Sequence, residues 1–138
     1  MRSYSGRVDG TERRNRILLR ARDRIDRSYR DDLDVSALAR DAYLSRAEFI
    51  RQFRATFGET PYRYLQRRRI ERAMHLLQWT DRSVTDVCME VGFASLGTFS
   101  RTFRAIVGAS PRTFRDASTR PEGFVPTAFG MKWSRITE

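Results

Sequence analysis

The chain has 138 residues and a mass of 16.2 kDa, the scale of one ordinary domain or two very small ones. Its 27 Lys plus Arg outnumber 17 Asp plus Glu, for a formal charge of +10, and every basic residue but Lys132 is arginine, the better fork for phosphate and guanine edges. No apolar run reaches the ~18 residues of a membrane span, MRSYSGRVDG lacks the apolar core of a secretory signal, and one cysteine (Cys88) with one histidine (His75) makes neither a disulfide nor a His/Cys zinc site. A small chain this basic points to nucleic acid, with a membrane surface as the rival partner.

Residues 1–10 are polar with Gly and Ser, and read as a disordered tail. A helix is predicted from about Thr11 to Tyr29, with Leu18, Ala21, Ile25 and Tyr29 on one apolar stripe and Arg22–Asp26 and Asp23–Arg27 one turn apart on its outer face. The segment RDDLD marks a turn. Two similar stretches follow. Val35, Leu38, Ala39, Ala42 and Leu44 match Val84, Val87, Cys88, Val91 and Phe93 at an offset of 49. The offset then becomes 50, pairing Phe49, Phe53, Arg54, Gly58, Pro61 and Tyr64 with Phe99, Phe103, Arg104, Gly108, Pro111 and Phe114. The second copy therefore carries one extra residue in its central turn. Two copies are too few for a solenoid, so a duplicated small module is the simpler reading.

Punctuation sets the elements of each copy. Asp34 and Ser83 cap a short first helix. A tight turn follows, at Tyr43-Leu44 in one copy and at Gly92-Phe93-Ala94 in the other. Ser45-x-x-Glu48 has capping-box spacing and opens a second helix that buries Phe49, Phe53 and Phe57; its counterpart buries Phe99, Phe103 and Val107. Gly58 and Gly108 end these helices, and Thr60-Pro61 and Ser110-Pro111 open the next. The predicted bounds are about 34–58 for the first helix-turn-helix, 61–79 for a long connecting helix and 83–108 for the second helix-turn-helix. The apolar stripe of the connecting helix includes Leu65, Ile70, Ala73, Met74 and Leu77. Cys88 aligns with Ala39 and is expected in the core, and His75 at a core edge or on the surface. Residues 121–138 hold Phe124, Val125, Phe129, Met131, Trp133 and Ile136 among helix breakers. This extension is expected to fold back over apolar surface, with a partner contact as the alternative.

At 100° per residue, Ala47, Arg51 and Arg54 point away from the Phe49/Phe53/Phe57 face, with Ile50 at its edge. In the second copy Gly97, Arg101 and Arg104 point outward, flanked by Ser100 and Leu96. An α-helix fits the DNA major groove, arginine bonds guanine N7 and O6 bidentately, and Ala47, Ile50 and Leu96 suit thymine methyls. A connecting helix of about 28 Å suits major-groove faces that recur about every 34 Å. Candidate phosphate contacts are Arg54 and Arg104 on the two second helices and Arg63, Arg67 and Arg68 on the connecting helix, where the run also holds Arg69 and Arg72.

The stretch SVTDVCMEVGFASLGTFSRTFRAIVGASPRTFR, with Gly92-Phe93, Phe99-Ser100-Arg101, Phe103-Arg104 and the run Gly108…Ser110-Pro111…Phe114-Arg115, resembles the signature of the DNA-binding domain of AraC/XylS bacterial transcription regulators. The resemblance covers about residues 11–120. It implies an all-α fold of seven helices, with two helix-turn-helix subdomains joined by a long helix. It implies sequence-specific binding to promoter DNA, more often as an activator that recruits RNA polymerase. By position, it places base contacts on Ala47, Ile50 and Arg51, and on Leu96, Gly97, Ser100 and Arg101, with Arg46 on phosphate. Leu96 and Gly97 stand where polar readers are frequent, Tyr43 where the first turn often has glycine, and Cys88 where alanine is usual. Residues 1–33 leave no room for a sensor fold, so the chain resembles a stand-alone member that binds an asymmetric site as a monomer, in the cytoplasm on the nucleoid. No cofactor, catalytic group or membrane partner is expected, since no carboxylate cluster, nucleophile–base pair or metal set stands out. The competing function is an architectural DNA-binding protein of low sequence specificity.

Overall fold

Seven α-helices and no strand make up the described part of the computed structural model, residues 2–124, with side chains described from Gly10 onward. They are α1 (Arg2–Ser28), α2 (Val35–Asp41), α3 (Arg46–Phe57), α4 (Pro61–Trp79), α5 (Val84–Glu90), α6 (Leu96–Val107) and α7 (Pro111–Ala117). The expected all-α, seven-helix class is what the described residues adopt. One start differs. Helix α1 begins at Arg2 and runs through the segment read from sequence as a tail. Extending a formed helix fixes one residue per added hydrogen bond, whereas starting one fixes several for the first. Gly10 inside the helix weakens that extension without ending it.

The chain divides into two units, Met1–Leu65 and Gln66–Glu138. In the first, Leu18, Ala21 and Ile25 of α1 pack with Leu38, Ala39 and Ala42, with Phe49 and Phe53 of α3, and with Tyr64 and Leu65. In the second, Ile70, Ala73, Leu76 and Leu77 pack with Val87, Cys88, Val91, Phe93, Phe99 and Phe103. The duplication is visible ring by ring. Phe53 meets Phe49 at 5.8 Å and Tyr64 at 5.9 Å, and Phe103 meets Phe99 at 5.8 Å and Phe114 at 5.7 Å. Tilted and edge-on pairs such as these add to the area each ring buries.

The helix starts are capped as the sequence predicts. The Asp34 carboxylate accepts from Ser36 N at 2.9 Å, Ser45 Oγ from Glu48 N at 3.2 Å and Ser83 Oγ from Asp86 N at 3.0 Å. Ser95 Oγ accepts from Thr98 N at 3.2 Å, which caps α6. Both central turns close with the same backbone bond, Leu44 N to Ala39 O at 3.0 Å and Phe93 N to Cys88 O at 3.1 Å. The extra residue of the second copy is therefore Ala94, between the turn and the Ser95 cap. Each turn needs a left-handed residue, Gly92 at φ 101 in one and Tyr43 at φ 59 in the other. A side chain there costs about 1–2 kcal/mol that glycine does not pay.

The end of α4 is held from outside. Arg115 Nε donates to Leu77 O at 3.0 Å, and its Nη2 donates to Arg82 O at 2.5 Å and Thr80 O at 3.4 Å. Arg120 Nη2 reaches Thr80 O at 2.8 Å and Leu77 O at 3.3 Å, and its Nη1 donates to Asp81 at 3.1 Å. These cations satisfy carbonyls that a helix end leaves open and complement its dipole. The Phe124 ring meets Trp79 edge-on at 5.4 Å, so the first residues of the extension fold back on α4. The rest of the extension, residues 125–138, lies outside the described residues.

Candidate nucleic-acid interface

Helix α3 buries Phe49 and Phe53 and leaves Arg46, Ala47, Arg51 and Arg54 exposed, with Ile50 half-buried at the edge. This is the face that period 3.6 predicts. Arg51 is not idle there. Its Nε donates to Glu48 Oε2 at 3.0 Å and its Nη2 to Glu48 Oε1, while Gln52 Nε2 donates to Glu48 Oε1 at 2.7 Å. Half of the expected capping box forms. Ser45 caps Glu48 N, but the Glu48 carboxylate turns to the guanidinium one turn on. A charged fork outcompetes a single backbone N–H as a partner. The bonds from Arg51 and Gln52 hold the Glu48 carboxyl down at about 2, from 4.5. The same bond raises Arg51 above its ordinary value.

Helix α6 buries Phe99 and Phe103 and exposes Leu96 (44%), Gly97, Arg101 and Arg104, with Ser100 half-buried. Arg101 lies back along its own helix. Its Nη1 stands 3.4 Å from where a Cβ on Gly97 would be, and its Nη2 is 3.5 Å from Thr98 Oγ1. A Cβ at position 97 would therefore sit in ordinary van der Waals contact with the guanidinium. The two arginines at equivalent positions are thus restrained differently: Arg51 by a carboxylate, Arg101 by a weak contact to a hydroxyl. The spacing of three residues from Glu48 to Arg51 and from Thr98 to Arg101 is the sequence signal for both contacts.

Among the phosphate candidates, Arg46, Arg54, Arg63 and Arg104 are exposed. Arg67 and Arg68 are half-buried and share the Glu71 carboxylate at 2.5 and 2.6 Å. Arg69, in the same run, is buried and lies 5.7 Å from the centroid of the Phe93 ring, so it belongs to the packing of the second unit. On α1, Arg22 sits 4.6 Å over the Phe57 ring, and Asp26 accepts from Tyr64 Oη at 2.6 Å. Both tie α1 to the core side of its unit. Cys88 is buried, and burial pushes its thiol up, away from reactivity. His75 is exposed, and partial desolvation and Arg72 push it below its ordinary value. No helix of the described residues is long and apolar enough to cross a membrane.

Comparison with known proteins places the family and the fold. A helix-turn-helix domain family matches residues 38–117. The transcriptional activator RhaS of Escherichia coli is 38% identical over 87 residues, which span 63% of this chain and 31% of that protein. The chain therefore aligns with about a third of the length of the curated relatives it matches. A transcriptional regulator with an AraC-type DNA-binding domain from Chromobacterium violaceum superimposes with a TM-score of 0.69 at 28% identity, over 78% of this chain and 96% of that one. The DNA-binding domain of the global transcriptional factor AdpA, solved with a target DNA, superimposes with a TM-score of 0.63 at 33% identity, over 75% and 90%. With the family matched over more than half its length and the duplicated helix-turn-helix in place, the chain belongs to the AraC family, as a helix-turn-helix DNA-binding domain.

Proposed function

We propose that this chain binds promoter duplex sequence-specifically and activates transcription, with α3 and α6 entering successive major grooves. The observation that carries this is the repetition itself. Two capped helices of equal length each bury a phenylalanine pair and expose arginine at the same register, Arg51 and Arg101. A helix 10–12 Å across matches a major groove about 12 Å wide. In this reading Ala47, Ile50 and Arg51 read one block, and Leu96, Gly97, Ser100 and Arg101 read the other. Arg46, Arg54, Arg63 and Arg104 neutralise phosphates, with Arg67 and Arg68 joining them by exchanging their Glu71 bonds for phosphate. The chain acts by binding alone, as a monomer on an asymmetric site, and recruits RNA polymerase. A relative named as a transcriptional activator, and a neighbour solved with a target DNA, support that direction.

Selection of bound duplexes from a random library tests the proposal. Two unlike sequence blocks about one helical turn apart are expected. Binding to the selected duplex should exceed binding to random duplex by about a thousandfold or more. A single block overturns the two-groove assignment. Discrimination below about tenfold puts an architectural protein of low specificity in its place.

A further inference from the structure

One side of α1 is a line of arginines. Arg13, Arg16, Arg20, Arg24 and Arg27 recur at spacings of three and four, which keeps them within about 80° of one another around the helix. All five are exposed. Arg24 pairs with Asp41 of α2, and the other four pair with no acidic side chain among the described residues. Beside them runs an open groove of about 650 Å³ between α1 and α2, within the first unit. Its floor is apolar: Ile17, Ala21, Leu38 and Ala42. Asp23 and Asp41 are the acidic residues in its lining, against the five arginines. None of the α3 residues that face outward, from Arg46 to Arg54, lines it.

Tyr43 stands at the rim of this groove and is 91% exposed. Its backbone is left-handed, at a turn that the second unit makes with Gly92. The turn alone calls for glycine. A bulky aromatic held there, with almost no contact to its own fold, pays strain and exposure with no return to stability. Outliers of this kind concentrate where a surface has another use, and exposed tyrosine is a favoured anchor of protein interfaces.

We propose that this groove docks an acidic amphipathic segment of a partner protein, with its carboxylates on the α1 arginines and its apolar side chains on the floor beside Tyr43. The chemistry separates this occupant from DNA. A phosphate backbone supplies the charge but no side chain to fill an apolar trough. An acidic amphipathic helix supplies both, as helix-in-groove recognition requires. The site goes beyond the promoter-reading function and does not depend on it.

The probe is a labelled helical peptide with leucines at every third and fourth position and glutamates elsewhere, followed by fluorescence anisotropy against the full chain at physiological salt. The comparison probes are a scramble of the same composition and a random-sequence duplex. The amphipathic peptide should bind about tenfold or more tighter than its scramble, a difference that charge alone does not make. Tyr43→Gly, which suits the turn, and the pair Arg16→Gln with Arg20→Gln should each weaken the peptide by about fivefold or more. The same variants should leave duplex binding within about threefold, and protein saturated with duplex should still take the peptide. Equal binding of peptide and scramble, or no binding of either, overturns the proposal. Variants that weaken duplex as much as peptide assign the stripe to DNA and overturn it too. No promoter enters the peptide titration, so failure to find a specific DNA site leaves its outcome legible.

Discussion

Glu48→Gln should strengthen DNA binding and make Arg51 matter more. In the free protein the Nε–Nη2 edge of the Arg51 guanidinium is taken by Glu48. A bidentate contact to guanine made through that edge needs the same two donors. Arg51 must therefore exchange one acceptor for another, and its gain on DNA is the difference between them. Arg101 gives up only a 3.5 Å contact to Thr98. A good bidentate base contact discriminates by roughly ten- to a hundredfold, whereas an exposed ion pair is worth no more than about fivefold in an equilibrium constant. Arg101→Ala should therefore lose the full ten- to hundredfold on the selected duplex, and Arg51→Ala less, by up to about fivefold. Glu48→Gln should tighten binding by a similar factor and restore the full penalty of Arg51→Ala when the two are combined. Anisotropy titrations of the four variants in a double-mutant cycle, at one salt concentration and with random duplex as competitor, measure each factor. Equal losses for Arg51→Ala and Arg101→Ala, with Glu48→Gln silent, would refute the reasoning. The pair also sets a pH signature. Because the folded value of Glu48 is depressed, the contribution of the pair is fully present above 4.5, the unfolded value, and is lost as pH falls through about 2. The effect of Glu48→Gln should accordingly hold from neutral pH down to about pH 5.

Three further outcomes are expected. Arg46→Ala and Arg54→Ala should each lower the dependence of log affinity on log salt by about 0.9, with discrimination between duplexes unchanged, as measured by titration across salt. Phe53→Ala and Phe103→Ala should each cost about 3–5 kcal/mol in urea unfolding, since both rings are fully buried between aromatic neighbours. Arg115→Met should cost about 2 kcal/mol by the same measurement: it abandons the Arg82 carbonyl outright, while Arg120 keeps a hold on those of Leu77 and Thr80.

The helices of the repeat were legible because their signals are local. A serine or aspartate at the start, phenylalanines every fourth residue and a glycine at the end each act within one or two turns of chain. The bounds of α3, α4 and α6 follow from them with little else. The outward residues were legible for the same reason: once the buried stripe is known, period 3.6 puts Arg51 and Arg101 opposite it. Their partners were marked by the three-residue spacing only as candidates. Glu48 carries two compatible roles, closing a cap or pairing with Arg51, and the choice turns on which donor reaches the carboxylate in three dimensions. Arg69 shows the same limit. In a run of three arginines no local signal marks which one leaves solvent, and it is Arg69, beside the Phe93 ring, that the fold buries.

Periodicity and punctuation alone determined that this chain is a doubled helix-turn-helix with arginine on both outward faces, because capping and amphipathic spacing are short-range. Tertiary structure decided the surroundings of the arginines that have no acceptor one turn away. A guanidinium reaches several ångström from its backbone, so its neighbours are set by whatever the fold brings within that radius: the Phe93 ring beside Arg69, and the carbonyls of Leu77, Thr80 and Arg82 for Arg115. The apolar floor between α1 and α2 and the exposed, left-handed Tyr43 at its rim are likewise products of packing. They require two helices and a turn to meet, and no single stretch of sequence contains them.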